Sequence, residues 1–187
     1  MNSLSALQNK IIELQNNYYT THSKNTFFKS AQKNDCASAI TQQLDITNLI
    51  RHTIYNIPNT NRIFFDYTLF KTFATDMVFE DIINHLMRIT EDCIDKYQSF
   101  EMHVNWNTYT ISAHERYKNI YSLFTDKCAK SRFNFSDCLS HMHVYHVPTM
   151  IDTIAPIIRP FIDPKIISKI KLYSKNDSDQ LLAQLFS

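Results

Sequence analysis

A chain of 187 residues without a single glycine has room for one domain that buries roughly 70% of its unfolded surface. It has no place for a phosphate-cradling loop, a dinucleotide fingerprint or a nucleophile elbow, which need glycine at positive φ or at close backbone approaches; at the usual share of about 7%, such a chain arises by chance roughly once in a million. The 19 basic and 18 acidic side chains leave a formal charge of +1 with no dense Lys/Arg run, so no nucleic-acid partner is expected.

Leu4, Leu7, Ile11, Leu14 and Tyr18 step by threes and fours, a heptad-like seam too short to stand alone in water. Packing onto the main domain is preferred over self-association. Residues 19 to 35, rich in Asn, Thr, Lys and Ser, read as a linker or loose loop. A one-sided helix then runs through Ile46, Leu49, Ile50, Thr53, Ile54 and Ile57, stopped near Pro58. The turn Asn59-Thr60-Asn61 releases the chain into a β-prone run, Arg62 to Tyr67.

The clearest helix carries Phe79, Ile82, Ile83, Leu86, Ile89, Cys93, Ile94 and Tyr97 on one stripe, with Thr75 and Asp76 at its start and an end near Gln98. Phe100 to Trp106 alternates in period two, setting Phe100, Met102, Val104 and Trp106 against Glu101, His103 and Asn105. Ser112-x-x-Glu115 reads as a capping box before a helix with Tyr117, Ile120, Tyr121, Phe124 and Cys128 on one face.

His141 to Tyr173 encodes strand, Pro-stopped turn, apolar helix, Asp-Pro restart, short helix and strand. Two strands joined by such a crossover are expected to be parallel neighbours. Within it Met150, Ile151, Ile154, Ile157, Ile158, Phe161 and Ile162 recur at helical spacing, while Pro156 and Pro160 require a kink or a break. The segment 149 to 168 thus reads as a hinged apolar lid over a sheet. Strand and helix alternate along the chain, which predicts an α/β fold with a mainly parallel sheet of four to five strands flanked by helices. Residues 1–57 are assigned to an N-terminal helical extension and 58–187 to the α/β domain.

Four cysteines at 36, 93, 128 and 138 form no CxxC pair and are read as reduced thiols, which places the protein in the cytoplasm. No apolar stretch reaches membrane-spanning length and no signal pattern opens the chain. His103, His141 and His143 put three imidazoles on neighbouring strands, a set that can hold zinc, but the reading adopted is a semi-polar sheet face of His103, Asn105, His141, His143 and Tyr145 that floors a pocket beneath the lid, with no metal and no cofactor. No catalytic residue is assigned. Asp137, ahead of the His-rich strand, and Lys169, at the last strand, make either a surface ion pair or a pair facing a polar headgroup.

Phe135-Ser136-Asp137, Val144-Tyr145-His146-Val147-Pro148, Pro160-Phe161-Ile162-Asp163-Pro164 and Ser168-Lys169-Ile170 together resemble the late core of the CRAL-TRIO lipid-binding family, and the resemblance covers about residues 60 to 187. His146 in the family's Asn position, followed by Pro148-Thr149, is closer to the divergent branch of BCH domains and Rho GTPase-activating proteins. The resemblance implies that Asp137 and Lys169 correspond to the family's headgroup acid and lysine, with Ile166 where a companion Thr stands. The family's Leu-Pro and Gly-Gly closing segment has no counterpart here. The expected function is non-catalytic binding of one lipid-type or isoprenoid-type ligand, in the service of lipid transfer or sensing. His103, Asn105, His143, Asp137 and Lys169 form its polar surroundings and Ile154, Ile158, Phe161 and Ile162 its apolar contacts. Peripheral membrane contact and a protein partner are left open, and the alternative is a degenerate protein-interaction or structural module with a filled pocket.

Overall fold

The computed structural model describes residues 2–23 and 27–187, with the backbone alone for Asn2, Ser3, Ile154, Ile157, Ile158 and Phe161. Helices α1 (Asn2–Thr21), α2 (Lys29–Thr41) and α3 (Ile46–Thr53) lead into strand β1 (Ile54–Asn56). Strand β2 (Arg62–Asp66), helices α4 (Tyr67–Phe73) and α5 (Phe79–Tyr97), and strand β3 (Phe100–Asn105) follow. Helices α6 (Ile111–Lys130) and α7 (Phe135–Cys138) lead to β4 (Leu139–Tyr145). The crossover comprises α8 (Ile151–Ile158), a 3-10 turn Arg159–Phe161 and α9 (Pro164–Ile167), before β5 (Ile170–Leu172) and the final helix α10 (Lys175–Leu185).

The five strands line up in sequence order, β1 antiparallel to β2 and every later pair parallel. Each parallel connection advances one strand in the same direction, and right-handed crossovers place all such connections on one face of the sheet. That face is apolar. Register partners share a face, so Ile63, Met102, Met142 and Ile170 form one row and Phe65, Val104, Val144 and Leu172 the next. Ile162 and Ile166 of the crossover join the same hydrophobic cluster as Met102, Met142 and Trp106.

Tertiary packing overrode several local readings. The heptad residues Leu7, Ile11 and Leu14 are buried with Cys36 and Ile40 in the main core, so α1 packs inward. Residues 19 to 35 are helical at both ends rather than a linker, and 24–26 lie outside the described residues. The helix expected through Ile57 stops at Thr53, because Ile54 to Asn56 turn extended and pair with Ile63 to Phe65. The α5 cap is Val78, with no side-chain bond, rather than the Thr75-Asp76 pair. The capping box proposed at Ser112 lies two residues too late: Thr110 is the cap of α6, its side chain accepting from the Ala113 N–H at 3.2 Å.

Without glycine, positive φ falls to Asn59, Gln98, Thr108 and His146, at 61°, 62°, 68° and 53°. Gln98 ends α5 as a left-handed cap, its N–H bonded to Ile94 O. A side chain with a Cβ costs about 1 to 2 kcal/mol there. Gln98→Gly is therefore expected to raise stability by about 0.5 to 1 kcal/mol after the entropy glycine adds to the unfolded chain, read as a higher urea midpoint at unchanged slope.

Candidate functional site

The opposite face of the sheet is polar and aromatic. Arg62, Glu101 and His141 lie across three strands, followed by His103 and His143, with Phe64 beside His103 on β2. Helix α10 crosses this face, and Phe186 just beyond it meets Phe64 edge-on with ring centroids 5.0 Å apart. Between α10 and the strands lies a cleft of about 320 Å³, walled by Arg62, Glu101, the three histidines, Tyr145, Lys171 and Tyr173 below and by Leu181, Gln184 and Leu185 above.

Parallel pairing stacks the rings on its floor. His103 and His143 lie 4.7 Å apart and 3° from coplanar, and Tyr173 stacks on His143 at 5.7 Å. His103 Nδ1 meets the Tyr145 hydroxyl at 2.9 Å, and His143 Nδ1 meets that of Tyr173 at 2.8 Å. The other ring nitrogen of His103 has no hydrogen-bond partner and stands 3.4 Å from Glu101 Oε2. Arg62 Nε donates to that same oxygen at 3.2 Å.

Burial, with the His143 ring beside it, pulls the His103 imidazole down to about 4, against the opposing pull of Glu101. Burial likewise lowers His143. Burial alone would raise the Glu101 carboxyl, but the neighbouring His103 imidazole and the Arg62 charge hold it below the ordinary range. Tyr145 is pushed up to about 12, by burial first and by Tyr173 second. The cleft therefore presents the neutral imidazoles of His103 and His143, protonated phenols and the Glu101 carboxylate, flanked by the cations Arg62 and Lys171.

The expected polar residues fall in three places. His103 and His143 floor the cleft. Asn105 is turned to the end of the sheet, where its Oδ1 faces His146 Nδ1 at 2.9 Å and accepts from the Asn107 N–H, while its Nδ2 donates to Asp66. Asp137 and Lys169 sit where the crossover meets the start of β4, and they do not pair: Asp137 accepts from Lys165 Nζ at 2.8 Å, and Lys169 Nζ donates to the carbonyls of Ser136 and Leu139. Lys165, one helical turn nearer to Asp163, reaches the carboxylate that Lys169 was expected to meet. The lid lies on the other side of the sheet from the histidines, so the histidine face is not its floor. Ile162 packs on the apolar face, and the side chains of Ile154, Ile158 and Phe161 lie outside the described residues. Glu101 was missed as a site residue, although its position two residues before His103 on a strand puts both on one face.

The CRAL/TRIO domain model matches residues 59–187. The chain belongs to the CRAL-TRIO family. This is a family of lipid-binding domains, and the α/β architecture with its mainly parallel five-stranded sheet agrees with it. A solved structure titled "Crystal structure of Sfh5" shares the fold, with a TM-score of 0.51 at 12% identity. The alignment covers 77% of this chain and 56% of that one, so the chain spans little more than half the length of that structure. No curated protein matches the sequence. Among the described residues no helix of this CRAL-TRIO chain is long and apolar enough to cross a membrane.

Proposed function

We propose that this CRAL-TRIO chain binds one lipid-type ligand, without catalysis, between the α8–α9 crossover and the apolar face of β4 and β5. The observation that carries the reading is a strip of bare hydrocarbon: Leu172, in register with buried Val144, is 50% exposed on the edge strand, next to half-buried Ile170 and Met142. Water-exposed leucine on the face that a lid crosses gains about 25 cal/mol per Å² when an acyl chain covers it. Pro156 inside α8 and Pro160 in the following turn remove two helical donors, which makes the segment a hinge. The lid residues Ile154, Ile158, Phe161 and Ile162 are assigned to the apolar part of the ligand, and helices α1 to α3 serve as an extension that buttresses α4. Asp137 and Lys169, already engaged by protein groups, carry no ligand in this reading. His146 in the family's Asn position supports placement near the BCH and Rho GTPase-activating branch.

Leu172→Asp is expected to weaken uptake of a fluorescent fatty acid by about tenfold or more while leaving the fold intact, since an exposed edge position tolerates charge. Native mass spectrometry and organic extraction of gently purified protein should recover a bound lipid. Failure to find one, together with no uptake by the parent protein, would overturn the carrier reading in favour of an interaction module with a filled pocket.

A further inference from the structure

We propose that Glu101, His103 and His143 bind a divalent transition-metal cation of the zinc class in the cleft beneath α10. This site lies on the face opposite the lipid reading and does not depend on it. Each of the three residues offers one ligand atom, and these atoms all lie within 4.8 Å of one another. The sheet creates the grouping: Glu101 and His103 are two apart on β3, and His143 is the direct register partner of His103 on β4.

Two further features single out this set. The His103 side chain is 4% exposed and its Nε2 has no hydrogen-bond partner, a costly state for a buried polar atom. It points at the carboxylate of Glu101 from 3.4 Å. Moreover, the Nδ1 atoms of both histidines are held by phenols, those of Tyr145 and Tyr173. A phenol oxygen that accepts from Nδ1–H fixes the ring orientation and leaves the Nε2 lone pair for a metal, the outer-sphere arrangement found around ligating histidines. Two imidazoles and a carboxylate with one side open to a cleft suit zinc, which keeps water in its fourth position.

Two groups oppose the cation: Lys171, the register partner of His143 on β5, lines the same cleft, and Arg62 lies at the carboxylate. Arg62 Nε occupies Glu101 Oε2, so binding must detach it or use the other carboxylate oxygen, Oε1. His141 faces that oxygen from 3.7 Å, but its side chain is 45% exposed and it stands outside the ligand set. Removing the arginine charge should therefore strengthen binding, whereas removing His141 should not weaken it.

The test is calorimetric titration of zinc chloride into the chelator-treated full chain, with the visible spectrum of its cobalt form as a second readout. Saturation near one equivalent and a four-coordinate cobalt spectrum are expected. Glu101→Gln and His143→Gln should each weaken binding by about tenfold or more and Tyr173→Phe by a similar factor, while Arg62→Gln tightens it and His141→Ala leaves it within about twofold. Circular dichroism reports folding, and Glu101→Gln, which keeps the shape of the side chain, decides the matter should His143→Gln not fold. The proposal is overturned by the absence of saturable binding, by a Glu101→Gln variant that binds like the parent, or by loss of binding on His141→Ala with Glu101→Gln silent, which would move the ion to the surface histidines.

Discussion

Acidifying the metal-free protein from pH 7 to about pH 4.5 is expected to remove about 2.4 kcal/mol of folding stability through His103 alone. Its imidazole is held at about 4 in the folded protein by burial and by the neighbouring His143, whereas in the unfolded chain it titrates at about 6.5. Between those two values the unfolded chain binds the proton that the folded one refuses. Stability is therefore full above about pH 6.5, falls as the pH drops through the window, and levels off below about 4. Burial lowers His85, His114 and His143 as well, so they push in the same direction. The measurement is the urea midpoint from pH 7.5 to 4.5 with chelator present. His103→Asn, which cannot titrate there, should flatten most of the fall even though its stability at pH 7 is lower. An unchanged slope in that variant would exclude His103 as the source.

The alternation of periods was readable because strands β3 and β4 show clean period two and α5 a clean 3.6, so the order of strands and helices could be taken from the chain. The proline-broken crossover was readable for the same kind of local reason. What escaped was short or non-local. Strand β1 has three residues, and its Ile54 continues the helical spacing of Leu49, Ile50 and Thr53, so only pairing with β2 decides its conformation. Thr110 caps α6 from within a turn region where Ser112 offered an equally good local pattern.

The largest revision concerns the two faces of the sheet. The sequence supports an apolar side of Met102, Val104 and Met142 and a polar side of His103 and His143, and the structure has both. The error was to put the lid over the polar side. Sequential strand order with uniformly right-handed crossovers sends α5, α6 and the lid to the same face, which leaves the histidines to whatever follows β5. That element is α10, whose Leu181 and Leu185 had no assigned partner. The polar candidates thus separate from the lid, and Glu101 joins the histidines in their place.

How α10 stays on the histidine face follows from one serine. Ser178 is 0% exposed, its hydroxyl accepts from the His146 backbone N–H at 2.7 Å, and it donates to Ser174 O at 2.6 Å. His146 sits at positive φ, a conformation that aims its N–H at the helix, and its ring spans Asn105 Oδ1 and Asp179 Oδ1, both at 2.9 Å. Ser178→Ala leaves that buried N–H without an acceptor, and its expected cost is about 2 kcal/mol. Asp179→Asn, by contrast, alters a residue 85% exposed at its side chain and should cost less than about 1 kcal/mol. The deficit in Ser178→Ala should also be local. Hydrogen exchange at His146 and along α10 should accelerate before the central strands respond, and because α10 roofs the cleft, metal exchange should quicken in the same variant. Equal costs for the two substitutions, or exchange that speeds up uniformly across the sheet, would mean that α10 is held by Leu181, Leu185 and Phe186 rather than by the serine.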